Sequence, residues 1–274
     1  MDYLIRTSSG EIHFFYKPDC GIYESREKNM FFPEKIIGDV KAAFCVAEKD
    51  GALHLICENL KNELVYIRIE EERTESCVLC VFKEGMKLKN IKIGVSKIGL
   101  NLIYAVEYEG KTMLVHCVLG NNAQPAVIDY LKSDNFFVYN QRVYYSNSEG
   151  ALGYQEFADG KPDGFILVCE GAEDAYVSGG MLVYKKNDKI YINGKVKIED
   201  SDIETPVIAE RGESFFLVWR SGNVLKYIDA CKDDIMPKKL ISSGKQILYS
   251  IQENDRVHYD YADKCEGKPY FRRD

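Results

Sequence analysis

The chain has 274 residues, 46% of them hydrophobic, and 43 acidic side chains against 36 basic ones give a formal net charge of −7. That length suits one large all-β domain or two small ones. The acidic balance excludes the clustered Lys and Arg that a nucleic-acid or anionic-membrane surface would need.

Read in chain order, short apolar strands recur with tight turns between them. The first unit places Gly10-Glu11-Ile12-His13-Phe14-Phe15-Tyr16 after the turn Ser8-Ser9-Gly10. The second predicts strands at 43–47, 53–57, 63–69 and 77–82, with Asp50-Gly51 as a hairpin signal. The third gives 91–95, 100–108, 113–118 and 126–131, and the fourth 136–139, 142–146, 152–157 and 165–168. The fifth is compact, at 175–177, 181–184 and 189–193. The sixth runs 206–209, 215–219, 224–228 and 239–241, and the last 247–251, 256–261 and 268–271. The second strands begin at Ile12, Leu53, Leu100, Val143, Met181, Phe215 and Val257, a step of roughly 40 residues. No segment carries a sustained helical period, and Val, Ile, Tyr and Phe fill the strands as strands require.

An all-β chain with this repeat length and strand order resembles a β-propeller over residues 3 to 271. The resemblance is to the architecture, of a short-blade type with a recurring apolar-His-apolar second strand. Blade ends lack a WD dipeptide, Gly179-Gly180 is the single kelch-like pair, no Asp-box is present and Trp219 stands alone. The resemblance implies a single domain over 1–274 with seven four-stranded antiparallel blades. Six is the alternative, reached if the first and last units merge where the ring closes. The last unit stops short, so its free edge could also join a larger assembly.

The chemistry-bearing residues argue for a binding module and against catalysis. His13, His54 and His258 occupy one position in different units, and Asn101, Tyr144, Leu182 and Phe216 take it elsewhere, so a repeated structural hydrogen bond is expected. Cys77-Val78-Leu79-Cys80 lies inside an apolar strand, where alternation sends positions i and i+3 to opposite faces, so no metal or redox site is expected. The same alternation separates His116 from Cys117. Tyr66-Ile67-Arg68-Ile69 only approximates the motif of sialidase-like propellers, and no acid pair is singled out for glycoside hydrolysis.

First-to-second turns are short, whereas the connections between units are longer and charged. Function favours the longer loops, so the expected ligand-binding residues are Asp39, Lys87, Asp134, Glu173, Asp174 and Asp202. The expected partner is a protein segment or small ligand, with a carbohydrate as the alternative. No cofactor, metal, nucleic acid or membrane is expected. The opening Met1-Asp2-Tyr3-Leu4-Ile5-Arg6 is charged too early for a secretory leader, and no apolar run nears the roughly 20 residues of a membrane span. Nine irregularly spaced cysteines suit a reducing compartment, and the location expected is cytoplasmic.

Overall fold

A computed structural model describes residues 2–263 except 9, 28–31, 72, 97–98, 121–123, 140, 158–161, 179, 233–235, 241–245 and 254–255. The predicted strand at 268–271 lies outside the described residues. Twenty-five strands follow one another in chain order. The first blade is β1 (Asp2–Thr7), β2 (Gly10–Lys17), β3 (Gly21–Arg26) and β4 (Glu34–Ile37). The second is β5 (Val40–Lys49), β6 (Ala52–Asn59), β7 (Glu63–Ile69) and β8 (Thr74–Val81).

The third and fourth blades share a strand. β9 (Lys87–Ser96), β10 (Gly99–Tyr108), β11 (Lys111–Val118) and the front of β12 (Ala126–Tyr139) make one. The back of β12, with β13 (Arg142–Asn147), β14 (Ala151–Glu156) and β15 (Ile166–Glu170), makes the next. The pairing of β12 is irregular between Leu131 and Phe136, where the chain passes from one blade to the other. The two stretches predicted there as separate strands are thus one element, and the two blades read as one seven-stranded sheet.

The fifth blade is β16 (Glu173–Ser178), β17 (Met181–Lys186), β18 (Lys189–Ile192) and β19 (Lys195–Glu199). The sixth is β20 (Ile203–Arg211), β21 (Ser214–Ser221), β22 (Val224–Asp229) and β23 (Lys238–Leu240). The last unit is a hairpin, β24 (Gln246–Glu253) and β25 (Arg256–Asp263).

The count is therefore six blades, the stated alternative to seven. The seventh unit merges with the first in one sheet ordered β25-β24-β1-β2-β3-β4. β24 runs parallel to β1, with Leu4 opposite Ile251 and Arg6 opposite Glu253. The edge of the last unit is thus taken by the first strand. Around the axis β1 contacts β5, β5 contacts β9, β9 contacts β12, β12 contacts β16 and β16 contacts β20; β20 meets β25, and β24 returns to β1.

Burial falls from the axis outward. β6 is buried along nearly its whole length because its sheet is packed on both faces, whereas the outer strand β8 is mostly exposed. That gradient explains why the second strands carry near-continuous apolar runs rather than alternation. The turns follow local chemistry: Asp50 and Gly51 both hold positive φ (54° and 80°) between the paired Lys49 and Ala52, as a two-residue hairpin turn with the right twist demands. Gly94 meets a different demand. A Cβ there would stand 2.8 Å from Val138 and 3.0 Å from Phe157, so the third blade approaches the fourth this closely only without a side chain.

Candidate functional site

The innermost strands enclose an axial channel. On the side of the first-to-second turns it forms a cavity of 540 Å³, walled by β1, β5, β9, β12, β24 and β25. Its rim carries Lys49, Asp50, Ser96 and Gln141. On the side of the blade connections lies a second cavity of 450 Å³, with Lys41, Glu58, Lys89, Asn90 and Asn135 in its wall. The two cavities share Tyr3 and Lys92, which form the waist between them.

Lys92 sits in the middle of β9, where Ile91 points into the core and the lysine points to the axis. Only 7% of it is exposed. Its ammonium donates to the Tyr3 hydroxyl at 3.4 Å and stands 5.6 Å from that ring's centroid. Burial penalises the charged amine and pushes its pKa down to about 8, against a smaller opposing pull from the Cys45 thiol. Burial also raises the Tyr3 phenol, the Cys45 thiol and the Tyr259 phenol, the last while hydrogen-bonded to Ser250. All of these line the larger cavity. Tyr259 packs edge-on against Phe137 at 5.3 Å and Tyr176 at 5.8 Å, which fixes its place on the aromatic side of the channel. Lys92 and Tyr3 thus present an ammonium and a hydroxyl side by side in a wall of mixed polarity, an arrangement that donates hydrogen bonds.

Both mouths are tied by side chains. At the turn side, the Gln252 amide donates to the Glu48 carbonyl and accepts from the Glu48 N–H, both at 2.8 Å, clamping β24 to β5. Lys49 Nζ reaches the Ser96 carbonyl at 3.0 Å and joins the second blade to the third. At the connection side, buried Glu58 accepts from Lys41 at 2.7 Å, and Lys89 pairs with Glu107 at 2.8 Å.

The six residues expected at the working face are distributed one connection at a time. Asp39 is exposed at positive φ and its carbonyl accepts from the Leu60 N–H. Lys87 opens β9 opposite Glu107. Asp134 lies in β12, and its carbonyl accepts from Asn90 Nδ2 at 3.0 Å, which brings its backbone to the cavity wall. Glu173 stands 3.8 Å from Lys132. Asp174 belongs to β16, with its side chain outside the described set. Asp202 is exposed at the start of the sixth blade. No hydrogen bond or ion pair joins any two of them among the described residues. Lys92, Tyr3, Tyr259 and Gln252 were not singled out by the sequence. The available signal was a lysine with apolar neighbours in a blade's first strand.

The repeated histidine position serves structure through different partners. His54 Nδ1 lies 2.7 Å from the Tyr66 hydroxyl on the third strand of its blade, and burial lowers its pKa. Asn101, its counterpart, bonds His116 Nε2 at 2.9 Å, again on the third strand, and passes the chain on to Ser96. His13 instead faces Asp2 at 3.5 Å and packs between Phe15 and Tyr249. The side-chain partners thus vary along the row, and His54 adds a hydrogen bond to the Lys49 backbone. The side chain of His258 lies outside the described set. At the Cys-x-x-Cys stretch a register slip opposite Leu64/Val65 interrupts simple alternation. Cys77 is exposed there, and Cys80 turns to the Tyr104 hydroxyl of the next blade.

No family model matches the chain, and no curated protein matches it in sequence. Solved structures do. Kluyveromyces lactis Hsv2 is 9% identical over 95% of this chain and 90% of its own, with a TM-score of 0.59. BBS1N, solved in complex with ARL6DN, is 10% identical over 95% of this chain and 86% of its own, at 0.57. The Aleuria aurantia lectin, a six-bladed β-propeller with a fucose recognition mode of its own, is 10% identical over 96% and 86%, at 0.51. At such identity the likeness shows the fold, and that fold is a β-propeller.

Proposed function

We propose that the chain is a non-catalytic binding propeller, a single domain over residues 1–274, that takes a small ligand or a protein segment at its axial channel. The observation that carries this reading is a pair of cavities of 540 and 450 Å³ that share Tyr3 and the buried Lys92 in their walls. A concave site of this size with convergent polar groups is a usual place for a ligand. Glu58 is engaged by Lys41, Glu107 by Lys89 and Glu48 by the Gly51 N–H, and the sequence singles out no acid pair, which supports binding over catalysis. In this reading Asp39, Lys87, Asp134, Glu173, Asp174 and Asp202, on the connections between blades, contact a protein segment laid across that face. The fold is shared by a protein solved with a protein partner and by a lectin, so both classes belong in the test. Against the carbohydrate alternative, Trp219 is fully buried and donates its indole N–H to Asp200 at 2.8 Å, so the one tryptophan cannot stack on a sugar. No helix of the described structure is long and apolar enough to cross a membrane. The eight described cysteines are free thiols, which supports a cytoplasmic location.

The test is a melting-temperature screen of the purified chain against monosaccharides, small carboxylates, phosphates, nucleotides and peptides, with each stabilising compound recovered and weighed. Native-state ligands raise the melting temperature by mass action. A compound that stabilises and returns unchanged supports binding. A compound consumed during incubation makes the protein an enzyme, and a panel without a single stabiliser removes the channel as a binding site.

A further inference from the structure

We propose that the waist of the channel is an anion site, at which the carboxylate or phosphate of a small molecule docks on Lys92 Nζ beside the Tyr3 hydroxyl. The inference rests on the binding reading above and names the chemistry of the ligand. Three features of the waist converge on it. Lys92 lies in the wall of both cavities, so a molecule in either one has this side chain in its lining. The Tyr3 hydroxyl stands 3.4 Å from the ammonium and can turn to donate, and an ammonium beside a hydroxyl donor is complementary to oxyanions. The wall of the larger cavity also carries apolar Val46, Ile93 and Val138; its carboxylates are Glu48, which accepts from the Gly51 N–H, and the exposed rim residue Asp50, whereas Lys92 is a buried cation in that wall. Burial of the amine bears on the same point. A lysine held near pKa 8 is cationic at neutral pH yet poorly hydrated, so an entering anion replaces little water to reach it. The cavity of 540 Å³ admits a body larger than the anionic group alone, so the group anchors one end and the rest of the molecule fills the funnel toward the turn-side rim.

The experiment uses the full chain and two probes, inorganic phosphate and acetate, at constant ionic strength set with sodium chloride. Melting temperature is followed against probe concentration for wild type, Lys92→Met and Tyr3→Phe. Either probe is expected to stabilise wild type in a saturable way. Affinity should fall by about tenfold or more in Lys92→Met, since a hydrogen bond to a charged group contributes that much, and less in Tyr3→Phe. Preference between the two probes tells a phosphate ligand from a carboxylate. Tyr3→Phe keeps the ring packed on Phe44 at 5.2 Å, so it reports on the site should Lys92→Met not fold. No saturable effect on wild type with either probe overturns the proposal. So does equal binding by the Lys92→Met chain, or by the Tyr3→Phe chain if only that variant folds. A sugar or peptide that stabilises all three chains equally would keep the binding reading and sink this one.

Discussion

Two of the regions that hold buried charge handle it differently. Between the sixth blade and the closing hairpin, Arg211 grips Asp260 through two hydrogen bonds of 2.9 and 3.0 Å, and the carboxylate's second task is to accept from the Tyr261 N–H. Burial still raises the Asp260 pKa, with Arg211 pulling the other way. At the channel waist, Lys92 meets a phenol, a thiol and two cavities. The first charge is matched from within and ties β20 to β25. The second borders a space that a ligand can enter. Desolvation is severe in both places, and the contrast separates a structural ion pair from a binding element.

The largest effect should come from breaking the matched pair. Asp260→Ala leaves Arg211 buried opposite an apolar group and should cost about 3–5 kcal/mol in urea unfolding. Replacing both residues with apolar ones should recover much of that loss, and failure to do so would mean the pair is less buried than described.

Lys92→Met should move stability the other way. Folding takes this amine from its ordinary 10.5 to about 8, so while it is charged the fold bears a cost of up to about 3 kcal/mol. The Met variant should therefore be more stable than wild type at pH 7. Between pH 8 and 10.5 the unfolded chain binds more protons at this site than the native one. Wild-type stability should rise through that window relative to the variant, and the difference should vanish above it. Paired urea melts at pH 7 and pH 10 read the change.

Gln252→Ala removes two hydrogen bonds to the Glu48 backbone across the ring closure and should cost about 1–2 kcal/mol. The smallest effect is expected at the rim. Glu173→Ala touches an ion pair that is half exposed on both sides, and such pairs contribute little, so the melting temperature should stay where it was. A loss of peptide binding without a loss of stability would instead mark Glu173 as a partner contact.

The contrast also shows what a linear reading reaches. Strand order, the Asp50-Gly51 turn and the propeller itself follow from local rules: apolar runs, turn chemistry and a step near 40 residues. The blade number depends on closure, and closure depends on β24 finding β1, two strands at opposite ends of the chain. Nothing local in 246–253 says whether its partner is a missing outer strand or the N-terminus. His54 and Asn101 were legible as a structural row, but their partners Tyr66 and His116 sit on the third strand, diagonally placed by sheet twist. Lys92 was hidden for a similar reason. Alternation puts it on the face opposite Ile91, but only the ring decides that this face looks at the axis rather than at solvent. The loop acids were visible as charge and remain spread over four connections, with Lys87 on a fifth, because a ring distributes what a sequence lists side by side.

The most direct test of the account is the titration of Lys92 itself, followed by NMR in chain carrying ¹³C-labelled lysine, with Lys92→Met assigning the signal. Tyr3 and Cys45 neighbour this amine, Tyr259 lines the same cavity, and burial raises each of their pKa values, so they stay neutral across the range. The account predicts a midpoint near 8 that moves upward when phosphate or acetate is bound. A midpoint at the ordinary lysine value, unmoved by either anion, would contradict it.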